Sequence, residues 1–148
     1  MDKHTRYIRI TRWASRLIAL LLVILIFCLP ALLDWYIQFR PMTDLAKTAV
    51  TAAFYACVVI IFFALRNVET LLGSILEGDV FTRENVTRIR RICYCCGGVG
   101  LVCIPAAVAY LPLIFLVIIM GFLCLMVSVV AHVMEAAVVI REENDLTI

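Results

Sequence analysis

Two groups of side chains in this 148-residue sequence have the types and spacing to do chemistry. Seven cysteines are present, and three of them crowd into Cys93-Tyr94-Cys95-Cys96. Clustered thiols can take a soft metal, undergo redox exchange or carry an acyl chain. His132 and Glu135 lie three residues apart, on one face of any helix that contains them, and could form half of a metal or proton-sensing site. Each group also has a plainer reading. Neighbouring residues on a helix point in different directions, so Cys93, Cys95 and Cys96 cannot close a tetrahedron around a metal. Small apolar packing residue is the favoured role for the cysteines, with acylation or redox sensing as the functional alternatives. For His132 and Glu135 the favoured role is a polar pair at a membrane interface, and the alternative is a pair responsive to pH or ligand. No nucleophile, base and orienting group can be assembled, so no enzyme activity, resident metal or cofactor is expected.

The elements that must position these residues are helices in lipid. Hydrophobic residues make up 65% of the chain and charged residues 16%, more apolar surface than a water-soluble domain of this size can hide. Four apolar runs follow one another, at about residues 14–33, 45–65, 92–111 and 113–134. Each is about 20 residues long, enough to cross about 30 Å of hydrocarbon as a helix. The third and fourth are separated only by Tyr110, Leu111 and Pro112, which predicts a tight helical hairpin. The expected fold is therefore an all-α membrane protein with four transmembrane helices forming a single domain over residues 1–148. The first run is read as an uncleaved anchor, because no small-x-small cleavage site precedes Asp34.

Basic residues orient the chain. Of the 13, Lys3, Arg6, Arg9, Arg12, Arg16, Arg66, Arg83, Arg88, Arg90, Arg91 and Arg141 fall on one side of this layout, and only Arg40 and Lys47 on the other. The positive-inside rule then puts both termini in the cytoplasm of a multi-pass protein. The arginines from Arg6 to Arg16 recur about once per turn and read as a stripe anchoring to lipid phosphates, not as a nucleic-acid surface.

Residues 66–91 are the most informative polar segment. Leu71, Leu72, Ile75 and Leu76 share a helical face, away from Glu69 and Glu77, as expected of an amphipathic helix at the inner membrane surface. Gly78 suits a C-cap and Thr82 an N-cap, and the periodicity of Val86, Ile89 and Ile92 predicts one helix from about Arg83 to Tyr110. In that helix, Gly97, Gly98 and Gly100 provide small surfaces for a close helix–helix contact, within the chain or between two copies; a hinge is the alternative. The acidic tail, residues 141–148, carries Glu142, Glu143 and Asp145 and is expected to fold back on Arg88, Arg90 and Arg91.

The string Gly78-Asp79-Val80-Phe81-Thr82-Arg83-Glu84-Asn85, followed by Arg88-Ile89-Arg90-Arg91-Ile92, resembles the central signature of domain-of-unknown-function family 2975. The tail Arg141-Glu142-Glu143-Asn144-Asp145-Leu146-Thr147-Ile148 is similar to that family's C-terminal signature. The resemblance implies a bacterial inner-membrane protein, often encoded beside a small helix-turn-helix DNA-binding regulator, and it implies no catalytic residues. The cysteine-rich stretch lies outside the family pattern.

These readings favour a regulatory or sensory membrane protein that binds a cytoplasmic helix-turn-helix transcription regulator. Its candidate contact residues are Phe81, Thr82, Asn85, Arg88, Arg90, Arg91, Glu142, Glu143 and Asp145. The expected partners are membrane lipid, that regulator and a second copy of the chain, without direct nucleic-acid binding. The alternative is a small oligomeric transporter or channel, but Thr48, Thr51, Tyr55 and Ser128 are too sparse to line a polar path through the spans.

Overall fold

The computed structural model describes residues 3–39 and 41–146, which form four α-helices and no strand. They are α1 (Lys3–Phe39), α2 (Asp44–Leu76), α3 (Arg83–Ala109) and α4 (Leu113–Leu146). All four are long and apolar enough to cross a membrane, and the chain is a multi-pass membrane protein. The four apolar runs fall one in each helix.

Helix order in space follows helix order in the chain. α2 packs between α1 and α3, and α3 between α2 and α4; among the described residues α1 and α4 make no helix–helix contact with one another. Burial follows the same order. Cys57 of α2 with Val99 and Cys103 of α3 form the core, and Ile60, Leu116 and Met120 close over it. The apolar faces of α1 and α4, with Leu21, Phe27, Phe115 and Phe122 among their exposed residues, are left for lipid.

Three of the helices are much longer than their apolar runs. α1, α2 and α4 have 37, 33 and 34 residues, or about 50–55 Å each against about 30 Å of hydrocarbon. The surplus lies at the end that carries the α2–α3 connection, where Arg16 of α1 meets Glu69 of α2 at 3.6 Å. The amphipathic segment after Leu65 is thus the unbroken continuation of α2, not a separate helix lying flat. No proline interrupts residues 66–76, so the helix has no reason to stop before Gly78.

Local signals explain each boundary. Glu77 caps α2, and Gly78 takes φ 91, a conformation open to glycine without steric cost. Gly78 N–H then donates to Ile75 O and Asp79 N–H to Ser74 O, which satisfies the last carbonyls of the helix in a Schellman motif. Thr82 Oγ1 accepts from Asn85 N–H at 3.3 Å and starts α3. At the opposite end Tyr110 is extended, Leu113 N–H donates to Tyr110 O, and the hairpin closes in three residues. There Tyr36 and Tyr110 share a hydrogen bond of 2.6 Å between their hydroxyls, and Lys47 pairs with Asp34 at 2.7 Å.

Pro30 lies inside α1 and cannot donate to the carbonyl of Ile26. The Tyr55 hydroxyl of α2 donates to Ile26 O at 3.4 Å instead. A neighbouring helix thereby supplies the donor that lipid cannot.

Candidate interaction surface

The polar end of the molecule is built from the last turns of α2, the connection 77–82, the first turns of α3 and the last turns of α4. Asn85 fixes the connection to α3. Its Nδ2 donates to Asp79 O at 2.6 Å and to Val80 O at 3.1 Å, while its Oδ1 accepts from Arg88 Nη1 at 2.9 Å. The residue is wholly buried. This corrects its assignment to a contact surface. An asparagine in a first helical turn reads as solvated, but this one satisfies three groups of its own chain.

The α3–α4 interface is aligned by two ion pairs. Arg83 holds Glu142 with two charge-assisted bonds, Nε to Oε1 at 2.8 Å and Nη2 to Oε2 at 2.6 Å. Arg90 reaches Glu135 at 2.6 Å. Seven residues separate the partners on each helix, two turns, so the pairs stack along one antiparallel seam. A cleft of about 240 Å³ lies between them, walled by the two arginines and Glu135 and lined by Val86 and Val138.

The acidic tail therefore does not fold back. α4 runs on as helix to Leu146, and Glu142 meets Arg83 in place of the expected Arg88, Arg90 and Arg91. Arg88 is engaged within its own helix by Glu84 and Asn85. Arg90 is taken by Glu135, and Arg91 points outward and is exposed. Glu143 is exposed, and the described side chains do not include that of Asp145. Phe81 stands exposed in the connection, with Arg141 Nη1 donating to its carbonyl at 3.4 Å, beside the half-buried Thr82.

His132 and Glu135 do not form a pair: Glu135 bonds to Arg90, and His132 Nδ1 meets Ser128 O at 2.8 Å, one turn back on α4. The glycines make their contacts within the chain. A methyl group at Gly97 would sit 3.5 Å from Cys124 Sγ and one at Gly100 would sit 3.6 Å from Met120 Cβ, both on α4. At Gly98 it would face Ile60 of α2 at 3.6 Å. Sequence reasoning missed the second polar face, a cleft of about 480 Å³ where Arg12 of α1 comes near Glu69, Ser74, Glu77, Asp79 and Arg88. Glu69 and Glu77 were visible only as the polar side of an amphipathic stretch.

The Arg83–Glu142 pair gives a testable pH response. The guanidinium hydrogen bond holds the Glu142 carboxyl below its ordinary 4.5, and the carboxylate in turn raises Arg83. A depressed carboxyl adds stability that is complete above its unfolded value and disappears as pH falls through the folded one. Mobility of the last α4 turn, read from a spin label at Asn144, is expected to stay constant from pH 7 to about 5 and to increase below about 4. Glu142→Gln should show that mobility at every pH, and high salt should reproduce much of it because the pair is exposed.

A family model described as a protein of unknown function, DUF2975, matches residues 3–148. The chain belongs to that family. The DUF2975 match takes in both helical hairpins, the connection and the tail, so the whole polar end lies inside the family region. No curated protein and no solved structure matches the chain. DUF2975 carries no assigned activity, and its implications for function rest on the surface described above.

Proposed function

We propose that this protein is a regulatory membrane protein of the bacterial inner membrane, with both termini in the cytoplasm, that holds a cytoplasmic helix-turn-helix transcription regulator. The observation that carries the reading is the concentration of polar groups. Both terminal helices and the connection extend past the apolar spans at one end, and 11 of 13 basic residues belong to that side. Among the described residues, the opposite end offers the α1–α2 junction and a three-residue hairpin turn. Phe81 supplies an exposed aromatic anchor beside the half-buried Thr82, and Arg91 of α3 and Glu143 of α4 are further exposed polar groups. Binding there can respond to the membrane, because α3 runs without a break from this surface into the core at Val99 and Cys103.

A photo-crosslinking amino acid placed at Phe81 in cells, followed by membrane pull-down, tests the proposal. The expected product is a covalent adduct with a helix-turn-helix regulator. Phe81→Ala with Arg91→Glu should lower the recovery of that regulator by about tenfold, the loss of one hot-spot contact of about 1.4 kcal/mol or more. Failure to recover such a regulator, together with solute flux through the chain in reconstituted vesicles, would assign it to transport instead.

A further inference from the structure

We propose that Cys93 and Cys124 form a reversible oxidation site for hydrogen peroxide, which joins α3 to α4 by a disulfide. The two residues are 31 positions apart, and their sulfurs lie 3.4 Å from each other. Each is also aimed at the other's backbone, with Cys93 Sγ 3.2 Å from Cys124 O and Cys124 Sγ 3.5 Å from Cys93 O. Both are free thiols. Small side-chain rotations that bring the sulfurs about 1.4 Å closer would reach bonding distance.

Access separates this pair from the other thiol pair in the protein. Cys57 and Cys103 are also close, at 3.6 Å, and both lie in the α2–α3 core; Cys93 is buried as well, but its partner Cys124 is only half-buried. Cys93 also lines a cleft of about 180 Å³ together with Arg90, Ser128 and His132. That volume holds several molecules the size of water, each of which occupies about 30 Å³ in the liquid, so it admits hydrogen peroxide. Its polar rim brings Arg90 and His132 to the same cleft as the thiol. His132 Nδ1 faces the Ser128 carbonyl and so carries the ring proton, which leaves Nε2 as a proton acceptor. Arg90 is itself paired with Glu135 at 2.6 Å.

The chemistry balances in two steps. The Cys93 thiolate attacks one peroxide oxygen, the O–O bond breaks, and the departing hydroxide takes up the thiol's proton as water, leaving a sulfenic acid on Cys93. The Cys124 sulfur then attacks the Cys93 sulfur, the S–O bond breaks and a second water leaves. Two thiols are oxidised, one peroxide is reduced, and the Cys93–Cys124 disulfide remains until a thiol reductant cleaves it.

This inference goes beyond the proposed function and needs no regulator for its test. The full-length protein in lipid nanodiscs is treated with hydrogen peroxide, free thiols are blocked, and linked peptides are mapped by mass spectrometry. The expected result is loss of two thiols per chain and a Cys93–Cys124 link. The link should form at least tenfold faster than any Cys57–Cys103 link and be reversed by a thiol reductant. With Cys124→Ala, a sulfenic acid on Cys93 should accumulate and be trapped by a 1,3-dione. Equal rates at the two thiol pairs, or a Cys93 thiol that survives peroxide in the unmodified protein, would overturn the proposal.

Discussion

Asn85→Ala is expected to destabilise the α2–α3 connection by about 2–3 kcal/mol, the cost of leaving buried polar groups without partners. The amide bonds to two connection carbonyls and to Arg88, and among the described residues it is the largest side chain that is fully enclosed. Removing it frees residues 79 and 80 from α3, so limited proteolysis should begin to cut between Glu77 and Thr82. Asn85→Asp separates the contributions. A carboxylate can still accept from Arg88, but it has no donor for the Asp79 and Val80 carbonyls and brings negative charge against them. It should therefore be at least as damaging as alanine. Wild-type thermal stability for Asn85→Asp in detergent would show that the arginine contact alone holds the connection.

Leucine at Gly97 or Gly100 should cost about 1–3 kcal/mol, the penalty for overfilling a packed interface, whereas alanine at either position should be neutral or stabilising. The distances decide this contrast. A Cβ at Gly97 meets Cys124 Sγ at 3.5 Å and one at Gly100 meets Met120 Cβ at 3.6 Å, both ordinary contact distances. A methyl group fits, and alanine has the better helix propensity by about 0.5–1 kcal/mol. The branched end of leucine has nowhere to go except into α4, so the helices must separate. Unfolding midpoints in a denaturing-detergent titration should fall for Gly97→Leu and Gly100→Leu and hold or rise for the alanine variants. A leucine variant as stable as wild type would mean that the two helices can part here freely. The seam is then close-packed but not at the glycine-only limit that a stripe of small residues suggests in sequence.

The features legible in the amino-acid sequence are those set by short range. Gly78 and Thr82 each act within one helical turn, so their capping roles follow from residue type and position alone. The hairpin at residues 110–112 follows from run length, since about 40 apolar residues cannot cross one bilayer as a single helix. The tail was less legible, because charge attracts at a distance and many pairings satisfy it. Opposite charges on residues 88–91 and 142–145 suggested a fold-back, yet helical continuity in α4 costs less than a turn and takes Glu142 past those arginines to Arg83.

The chain's apolar runs and the placement of its charges were enough to determine four membrane-spanning helices, because solvation by lipid depends on composition averaged over about 20 residues. Only the tertiary structure decided which side chains meet. The stacking of Arg83 on Glu142 and Arg90 on Glu135, the enclosure of Asn85, and the approach of Cys93 to Cys124 all depend on the rotation and register of one helix against another. Those quantities are set by packing between residues tens of positions apart, and no local pattern in the chain encodes them.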